Sequence, residues 1–215
     1  MLIKLAKIIK RSFRKLGKRG YTLVEVAAVV AVTATLAAVV VPVALDKVNE
    51  AKKASALQEC KEIGGAIAAF YQDTGVWPAL GSGTLNYYDV LESGSSNANI
   101  RAATRPVDGV GTWFTNTKIG YMEDHLVQDI AGYIASTIKW KGPYCDSLEK
   151  TDPWGRNYVA YVKGMHTENG GIGWVLSAGP NGKLETDPTD VNITKPVGDD
   201  IGYMVYSYQS EETTS

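Results

Sequence analysis

The chain has 215 residues, enough for one ordinary domain with an additional segment. Its 22 Lys and Arg nearly balance its 23 Asp and Glu, yet eight of the basic residues and none of the acidic ones fall within residues 1–20. Residues 21–215 therefore carry 14 basic side chains (22 less eight) against 23 acidic ones, a balance that argues against nucleic-acid binding because phosphate contacts need Lys and Arg.

Residues 1–20 are a strongly basic leader. Apolar residues recur within it at intervals of three and four, which is typical of an amphipathic helix lying on an anionic membrane surface. A flexible charged arm that only fixes orientation fits the same composition. Because basic residues that flank a membrane span stay on the cytoplasmic side, the acidic remainder is expected on the outer side.

An uncharged run of twenty residues, 26–45, follows the leader. As a helix it is long enough to cross a bilayer core of about 30 Å. Pro42 lies inside the run and removes one backbone hydrogen bond. Glu25 stands at its entrance, where a carboxylate is costly in lipid unless it has a partner. The same segment also fits a secretory signal peptide cut near Ala44, or a single-span anchor that is not cleaved.

Residues 51–73 predict an amphipathic continuation of this helix, because apolar residues repeat at intervals of three and four. We expect one helix from Tyr21 to about residue 73, ended by Gly75 and Pro78. Its second half needs a partner elsewhere in the chain. The apolar stripe consists of Leu57, Cys60, Ile63, Gly64, Ile67, Phe70 and Tyr71.

The rest of the chain predicts an α+β domain. Residues 79–123, rich in Gly, Ser, Asn and Thr, predict an irregular connection with short elements, and residues 123–139 predict a second helix. Short segments rich in β-branched and aromatic residues predict a small antiparallel sheet that covers the amphipathic helix. These segments are residues 157–162, 173–177 and 201–208.

The sequence offers little for catalysis. It has two histidines, His125 and His166, and lacks the Gly-x-Ser-x-Gly, His-Glu-x-x-His and phosphate-binding glycine patterns. We therefore expect no enzyme activity, and we expect His125 to be a surface or capping residue.

Two other groups of residues allow alternative interpretations. Cys60 and Cys145 form a disulfide if the domain is exported, or remain two free thiols. Four aspartates lie close together among Gly and Pro: Asp187, Asp190, Asp199 and Asp200. Such a loop provides the carboxylate and carbonyl oxygens that calcium takes, and the same residues also favour solvated turns.

Several short motifs of the sequence resemble those of type IV pilins and, most closely, the type II secretion major pseudopilin. The first is the six residues 20–25, Gly-Tyr-Thr-Leu-Val-Glu, with the glutamate fifth and Pro42 twenty-second after the glycine. Others are residues 74–78, 140–144, 152–158, 177–182 and 198–201. The family's first residue is usually Phe, whereas this chain has Tyr21, and residues 79–139 are longer than is usual there.

The resemblance implies a pilin fold and a structural role. It implies that a prepilin peptidase cleaves after Gly20 and methylates the new amine of Tyr21, and that Glu25 meets this amine in a neighbouring copy and sets the axial stagger. The filament would be a type IV pilus-like or type II secretion pseudopilus homopolymer. The alternative is a minor or tip pilin that acts in adhesion or DNA uptake.

The resemblance also implies partners, location and a cofactor. An inner-membrane platform and its ATPase would assemble the filament from a single-pass protein of the bacterial inner membrane with its head outside, giving a periplasmic or cell-surface filament. Calcium would be held by Asp199 and Asp200, with Asp187 as a third ligand and the Leu184 carbonyl as a further one. Asn181, where many relatives have Asp, departs from this pattern.

The expected organisation has five segments. A leader that is removed is followed by a transmembrane and filament-core helix, an amphipathic half-helix, a connecting region with a short helix, and a sheet region with the acidic loop. In order these are residues 1–20, 21–50, 51–78, 79–150 and 151–215.

Overall fold

The computed structural model describes residues 20–79, 87–94, 105–110, 113–114, 117–130, 132–133, 138–146, 148, 151–166 and 171–207. The predictions for the leader up to residue 19 lie outside the described residues. The chain divides into two compact units, Met1–Val48 and Asn49–Ser215, and helix α1, Leu23–Thr74, contributes residues to both. The single long helix predicted from the sequence is thus confirmed, within one or two residues at each end.

In the first unit, α1 presents an apolar surface that nothing in the described structure covers. Every residue from 20 to 50 is exposed, and the helix runs through Pro42 without interruption. The Thr33 hydroxyl donates to the carbonyl of Val29 at 2.9 Å, and Thr35 bonds likewise to the preceding turn. Polar groups that are satisfied within the helix suit apolar surroundings. Among the described helices, only α1 is long and apolar enough to cross a membrane.

In the second unit, α1 buries the predicted apolar stripe. Leu57 and Tyr71, at the edge of that stripe, are half-buried and exposed respectively, and the Tyr71 ring stacks on Trp77 at 4.0 Å between centroids. The buried helical residues are Ala56, Cys60, Ile63, Gly64, Ala66, Ile67 and Phe70. The period of the helix therefore places one continuous face against the rest of the unit.

A five-stranded sheet packs against this helical face, which confirms the α+β fold. Its strands are β1 Val90–Glu92, β3 Ile119–Tyr121, β4 Val159–Tyr161, β5 Ile172–Ser177 and β7 Ile201–Ser207, in the order β3-β1-β4-β5-β7. The last three correspond to the strands predicted from the sequence, and they pair antiparallel.

The sheet is mixed, which corrects the prediction of a purely antiparallel one. Strand β1 pairs antiparallel with β4 but parallel with β3, where Val90 lies opposite Ile119. Both β1 and β3 come from the stretch 79–123 that was expected to be an irregular connection with short elements. A second, two-stranded parallel sheet joins β2 Val107–Asp108 to β6 Lys183–Leu184.

Both faces of the sheet are covered, so the central strands do not show the alternation of a half-exposed sheet. One face, with Leu91, Ala160 and Val175, packs against α1 in the first core cluster. The other face forms a second cluster with Trp113 and Leu184. Members of this second cluster on the sheet are Val90, Val159, Tyr161, Ile172, Trp174 and Leu176.

The predicted helix at 123–139 is wrong over most of the residues that the structure describes in this range. Helix α2 is only Glu123–Leu126. Gly132 has φ +81°, a left-handed conformation that ends a right-handed helix, and the Asp129 side chain accepts the Tyr133 amide at 2.6 Å, which favours a turn. Residues 131 and 134–137 lie outside the described residues.

His125 is buried, not exposed or capping as predicted. Its Nδ1 lies 2.6 Å from the Tyr133 hydroxyl, and its carbonyl accepts the Trp140 indole N–H at 2.8 Å. Burial lowers the pKa of His125 to about 4, because the charged imidazolium loses its hydration. A histidine at this position therefore acts as a neutral core residue.

Candidate assembly segment and acidic loop

The candidate processing and assembly residues lie at the start of α1. Gly20 and Tyr21 precede the helix, and Tyr21 is 85% exposed, so the bond between them is not buried. Thr22 is the residue before the helix, and Glu25 is its third residue. The amide and the hydroxyl of Thr22 both donate to Glu25 Oε2 at 2.8 Å. The Glu25 amide donates to Thr22 Oγ1 at 3.2 Å.

These reciprocal bonds form a capping box, which satisfies amides that the first helical turn leaves unpaired. Glu25 therefore has a partner within its own chain, and its negative charge lies at the positive end of the helix dipole. Thr22 is not among the site residues predicted from the sequence. The pattern Thr-x-x-Glu directly before an apolar run is the signal that identifies it.

The acidic loop connects β6 to β7 and lies over the second core cluster. Of the predicted calcium ligands, Leu184 is fully buried, and its carbonyl accepts two backbone amides, those of Gly109 and Val110, each at 2.9 Å. Both lone pairs of this oxygen are thus engaged by protein donors. The structure does not leave the Leu184 carbonyl available to a cation.

Asp187 and Asp190 hold local turns. Asp187 Oδ1 accepts the amide of Thr189 at 2.9 Å and its hydroxyl at 2.7 Å. Asp190 Oδ1 accepts the Asn192 amide at 2.9 Å. These bonds match the turn-forming alternative for the acidic residues.

Asp199 and Asp200 are positioned differently. Asp200 Oδ2 accepts the amides of Glu185 at 2.8 Å and Thr186 at 2.7 Å, and Asp199 Oδ2 accepts the Asn181 amide at 3.1 Å. The Oδ1 atom of each aspartate is buried without a hydrogen-bond partner among the described residues. Burial raises the pKa of Asp200 to about 6.

Within the described residues, no group of three or more His, Cys, Asp or Glu side chains is placed to hold a metal ion. The two unpaired oxygens of Asp199 and Asp200 suit a cation. The Leu184 carbonyl and Asp187 Oδ1 accept hydrogen bonds from protein donors. Calcium binding stays a prediction.

Cys60 and Cys145 are free cysteines in the structure, which agrees with the alternative of two thiols and not with the disulfide. The Cys60 thiol is fully buried and donates to the Ile201 carbonyl at 3.6 Å. Burial raises the pKa of Cys60 and raises that of half-buried Cys145 to about 11. Cys60 thus ties α1 to strand β7 as a packed, protonated thiol.

Buried polar groups also position the helix on the sheet. The Tyr158 hydroxyl donates to Glu59 Oε2 of α1. Asp152 Oδ1 accepts the amides of Trp154 and Arg156 at 2.9 and 2.8 Å, and its Oδ2 accepts the Ser177 hydroxyl at 2.6 Å. The motif at 152–158 that resembles the pseudopilin thus forms a hydrogen-bonded turn. The bonds of Tyr158 to Glu59 and of Ser177 to Asp152 were not predicted, because these partners are distant in sequence.

The comparisons with known proteins agree with the resemblance to type IV pilin-like proteins. A family model described as Type II secretion system (T2SS), protein G, matches residues 116–196, which is less than half of the chain. Fimbrial protein EcpC of Eikenella corrodens is 36% identical over 62 residues, which are 29% of this chain. The chain spans 40% of the length of that relative. No solved structure matches the chain significantly.

Proposed function

We propose that the chain is a structural subunit of a type IV pilus-like or type II secretion pseudopilus filament, and not an enzyme. The observation that carries this proposal is the first unit. Residues 26–45 of the helix are uncharged and all exposed, and the carboxylate of Glu25, held in a capping box, directly precedes them. Such a surface needs lipid or copies of itself, because exposing it to water is unfavourable. The similarity to protein G and to a fimbrial protein supports the same role.

In this proposal a prepilin peptidase cleaves the Gly20–Tyr21 bond and methylates the new amine. Cleavage creates a cation one helical turn before Glu25. In the filament, Glu25 receives the amine of a neighbouring copy, which spares both groups an unpaired burial and fixes the axial stagger. Until then, the bonds from Thr22 keep the Glu25 carboxylate partly satisfied in the single subunit.

The proposed partners follow from this cycle. Before assembly the chain is a single-pass protein of the bacterial inner membrane, with the second unit outside. An inner-membrane platform and its ATPase extract it into a periplasmic or cell-surface filament. Pro42 removes one helical hydrogen bond near the C-terminal end of the apolar segment, so the helix is easiest to bend there.

The proposal is tested by comparing filament yield between two glutamate variants in the native cell. Glu25→Ala removes the assembly carboxylate. We expect filament yield to fall at least about tenfold, because the amine of Tyr21 in the neighbouring copy would be buried without its partner. The matched control is Glu62→Ala, on the exposed face of the same helix in the second unit, where the side chain accepts a bond from Gln58. Equal filament yield from Glu25→Ala and the control contradicts the proposal. A chain that is scarce in normal filaments indicates the minor or tip role instead.

Calcium binding at Asp199 and Asp200 is a second proposal. It is supported by their two buried carboxylate oxygens without partners among the described residues. Titration calorimetry of the full chain in detergent should give binding heat with calcium but not with magnesium, which dehydrates reluctantly. Asp199→Asn should abolish the heat, and Asp190→Asn, in a local turn, should keep it. Absence of heat with the wild-type chain sinks this proposal.

A further inference from the structure

We propose that residues 105–110 and 113–114, here called the clamp, hold the acidic loop in its fold by direct contact, so that the folding of this loop does not depend on a bound cation. The clamp lies in the stretch that is longer than the resemblance leads one to expect. The proposal concerns the fold of the second unit and stands apart from the filament role.

The backbone of the clamp binds strand β6, which leads into the loop. Strand β2 pairs in parallel with β6, and the Val107 amide donates to the Gly182 carbonyl at 2.9 Å. The amides of Gly109 and Val110 then converge on the Leu184 carbonyl, each at 2.9 Å. The two N–H groups point at the lone pairs through which this oxygen would bind a cation. The oxygen can therefore accept these two hydrogen bonds or bind a cation, but not both.

Gly109 is required for this approach. A Cβ atom at residue 109 would lie 2.6 Å from the Leu184 oxygen, closer than real Cβ atoms approach backbone. Glycine is the residue that permits such contact between two backbones. The close approach of the clamp to β6 therefore requires glycine at position 109.

The Trp113 side chain adds a second contact between the clamp and the loop. It is fully buried in the second core cluster, and its ring meets that of Tyr161 edge-on at 5.7 Å between centroids. The indole N–H donates to the Thr186 carbonyl at 2.8 Å. One side chain thus joins the loop to the sheet by both packing and a hydrogen bond.

The clamp is itself anchored to the main sheet. The Arg105 guanidinium pairs with both carboxylate oxygens of Glu92, which is buried in strand β1. The guanidinium also lies over the Phe114 ring, 5.1 Å from its centroid. Because a buried carboxylate is costly without its partner, this pair fixes residue 105 on the sheet. The loop is therefore held against a rigid support.

Inside the loop, side chains accept backbone amides from its other end. The Thr186 hydroxyl accepts the Val197 amide at 3.0 Å, and Glu185 Oε2 accepts the Asp199 amide at 3.1 Å. Asp200 binds two amides of the same turn, as described above. The two ends of the loop are thus joined by hydrogen bonds that need no ion. Calcium binding at Asp199 and Asp200 and folding of the loop are separate properties.

The test is amide hydrogen exchange of residues 183–200 in the full chain in detergent, measured by mass spectrometry with EGTA and with calcium. In the wild-type chain we expect protection in EGTA within about threefold of that in calcium. Gly109→Ala and Trp113→Phe should each speed exchange in EGTA about tenfold, since each weakens hydrogen bonds to the loop.

The matched control is Trp140→Phe. It also removes an indole bond to a backbone carbonyl, that of His125, but at a site away from the loop. It should leave exchange of residues 183–200 unchanged. A wild-type loop that exchanges freely in EGTA and is protected only with calcium overturns the proposal. Exchange at the wild-type rate in both clamp variants also overturns the proposal. If a variant fails to fold, the comparison of the wild-type chain in EGTA and in calcium still tests it.

Discussion

Residues 23–48 and residues 49–74 are the N-terminal and C-terminal halves of one helix, yet their side chains meet opposite surroundings. In the N-terminal half every side chain is exposed and the polar groups bond within the helix. The C-terminal half buries a face against a sheet, with bonds from Cys60 and Glu59 to distant residues. One continuous helix can thus bury one half against its own chain and leave the other half uncovered, and the pattern of charged residues distinguishes the two halves.

The largest effect expected from this comparison is on the free energy of unfolding of the second unit. Phe70 is fully buried and meets Tyr133 and Tyr144 edge-on at 4.9 and 5.4 Å between centroids. Phe70→Ala should cost about 3–5 kcal/mol through lost burial and a cavity. Val39→Ala, at a side chain 69% exposed in the N-terminal half, should leave that stability unchanged. Urea titration of the full chain in detergent measures the free energy of unfolding of both variants. Equal losses would contradict the difference between the two halves of the helix.

The second effect is a pH dependence confined to the second unit. The pKa of His125 is lowered from 6.5 to about 4 in the folded state, so unfolding takes up a proton between these values. The stabilisation is fully present above pH 6.5 and is lost as the pH falls towards 4, by up to about 3 kcal/mol. Asp200, with its pKa raised to about 6, acts in the opposite direction over an overlapping range.

The difference between wild type and His125→Gln isolates the histidine, because Asp200 contributes equally to both. Urea titrations at about pH 7 and about pH 4.5 should show the wild-type chain losing more stability than the variant on acidification. Parallel pH profiles of the two proteins would mean that His125 is not held neutral by burial.

Two neighbouring glycines of α1 sharpen the comparison further. A Cβ atom at Gly64 would lie 2.6 Å from Cδ1 of Tyr203 on strand β7, whereas one at Gly65 would meet nothing within 4 Å. Gly64→Ala should therefore destabilise the second unit by about 1–2 kcal/mol. Gly65→Ala should stabilise it by up to about 1 kcal/mol, because Ala is the better helix former. Thermal unfolding that moves in the same direction for both variants would contradict the packing described here.

The smallest effect lies at the start of the N-terminal half. Thr22→Val removes the hydroxyl of the capping box and should cost about 1 kcal/mol locally. Faster amide exchange at residue 25 in detergent micelles, with unchanged exchange in α1 beyond residue 49, is the expected result. Thr33→Val, which loses a bond within the helix only, is the matched control. Equal exchange at residue 25 in both variants would show that the box contributes nothing.

Much of this architecture was readable from the sequence. The helix followed from hydropathy and from a repeat of three and four, and strands β4, β5 and β7 followed from their β-branched and aromatic content. The strands β1 and β3 did not, because they lie in a stretch rich in Gly, Ser, Asn and Thr and their parallel pairing joins distant segments. The helix predicted at 123–139 failed because a turn at Gly132 outweighed an apolar repeat.

The candidate sites were predicted unevenly for a similar physical reason. Glu25 and Pro42 are recognisable by position, and Thr22 is recognisable from its spacing to Glu25. The sequence of the acidic loop shows which oxygen atoms are present, but not which of them already accept hydrogen bonds from protein donors. That Leu184 accepts the amides of Gly109 and Val110 depends on contacts between segments far apart in the sequence, which no local pattern reports.

The most direct test of the proposed filament role is the mass of the N-terminal peptide of the chain in filaments sheared from the native cell. The proposal predicts a peptide that begins at Tyr21 with a methylated amine, present in the filament fraction. An intact chain that begins at Met1 and stays in the membrane fraction would contradict it.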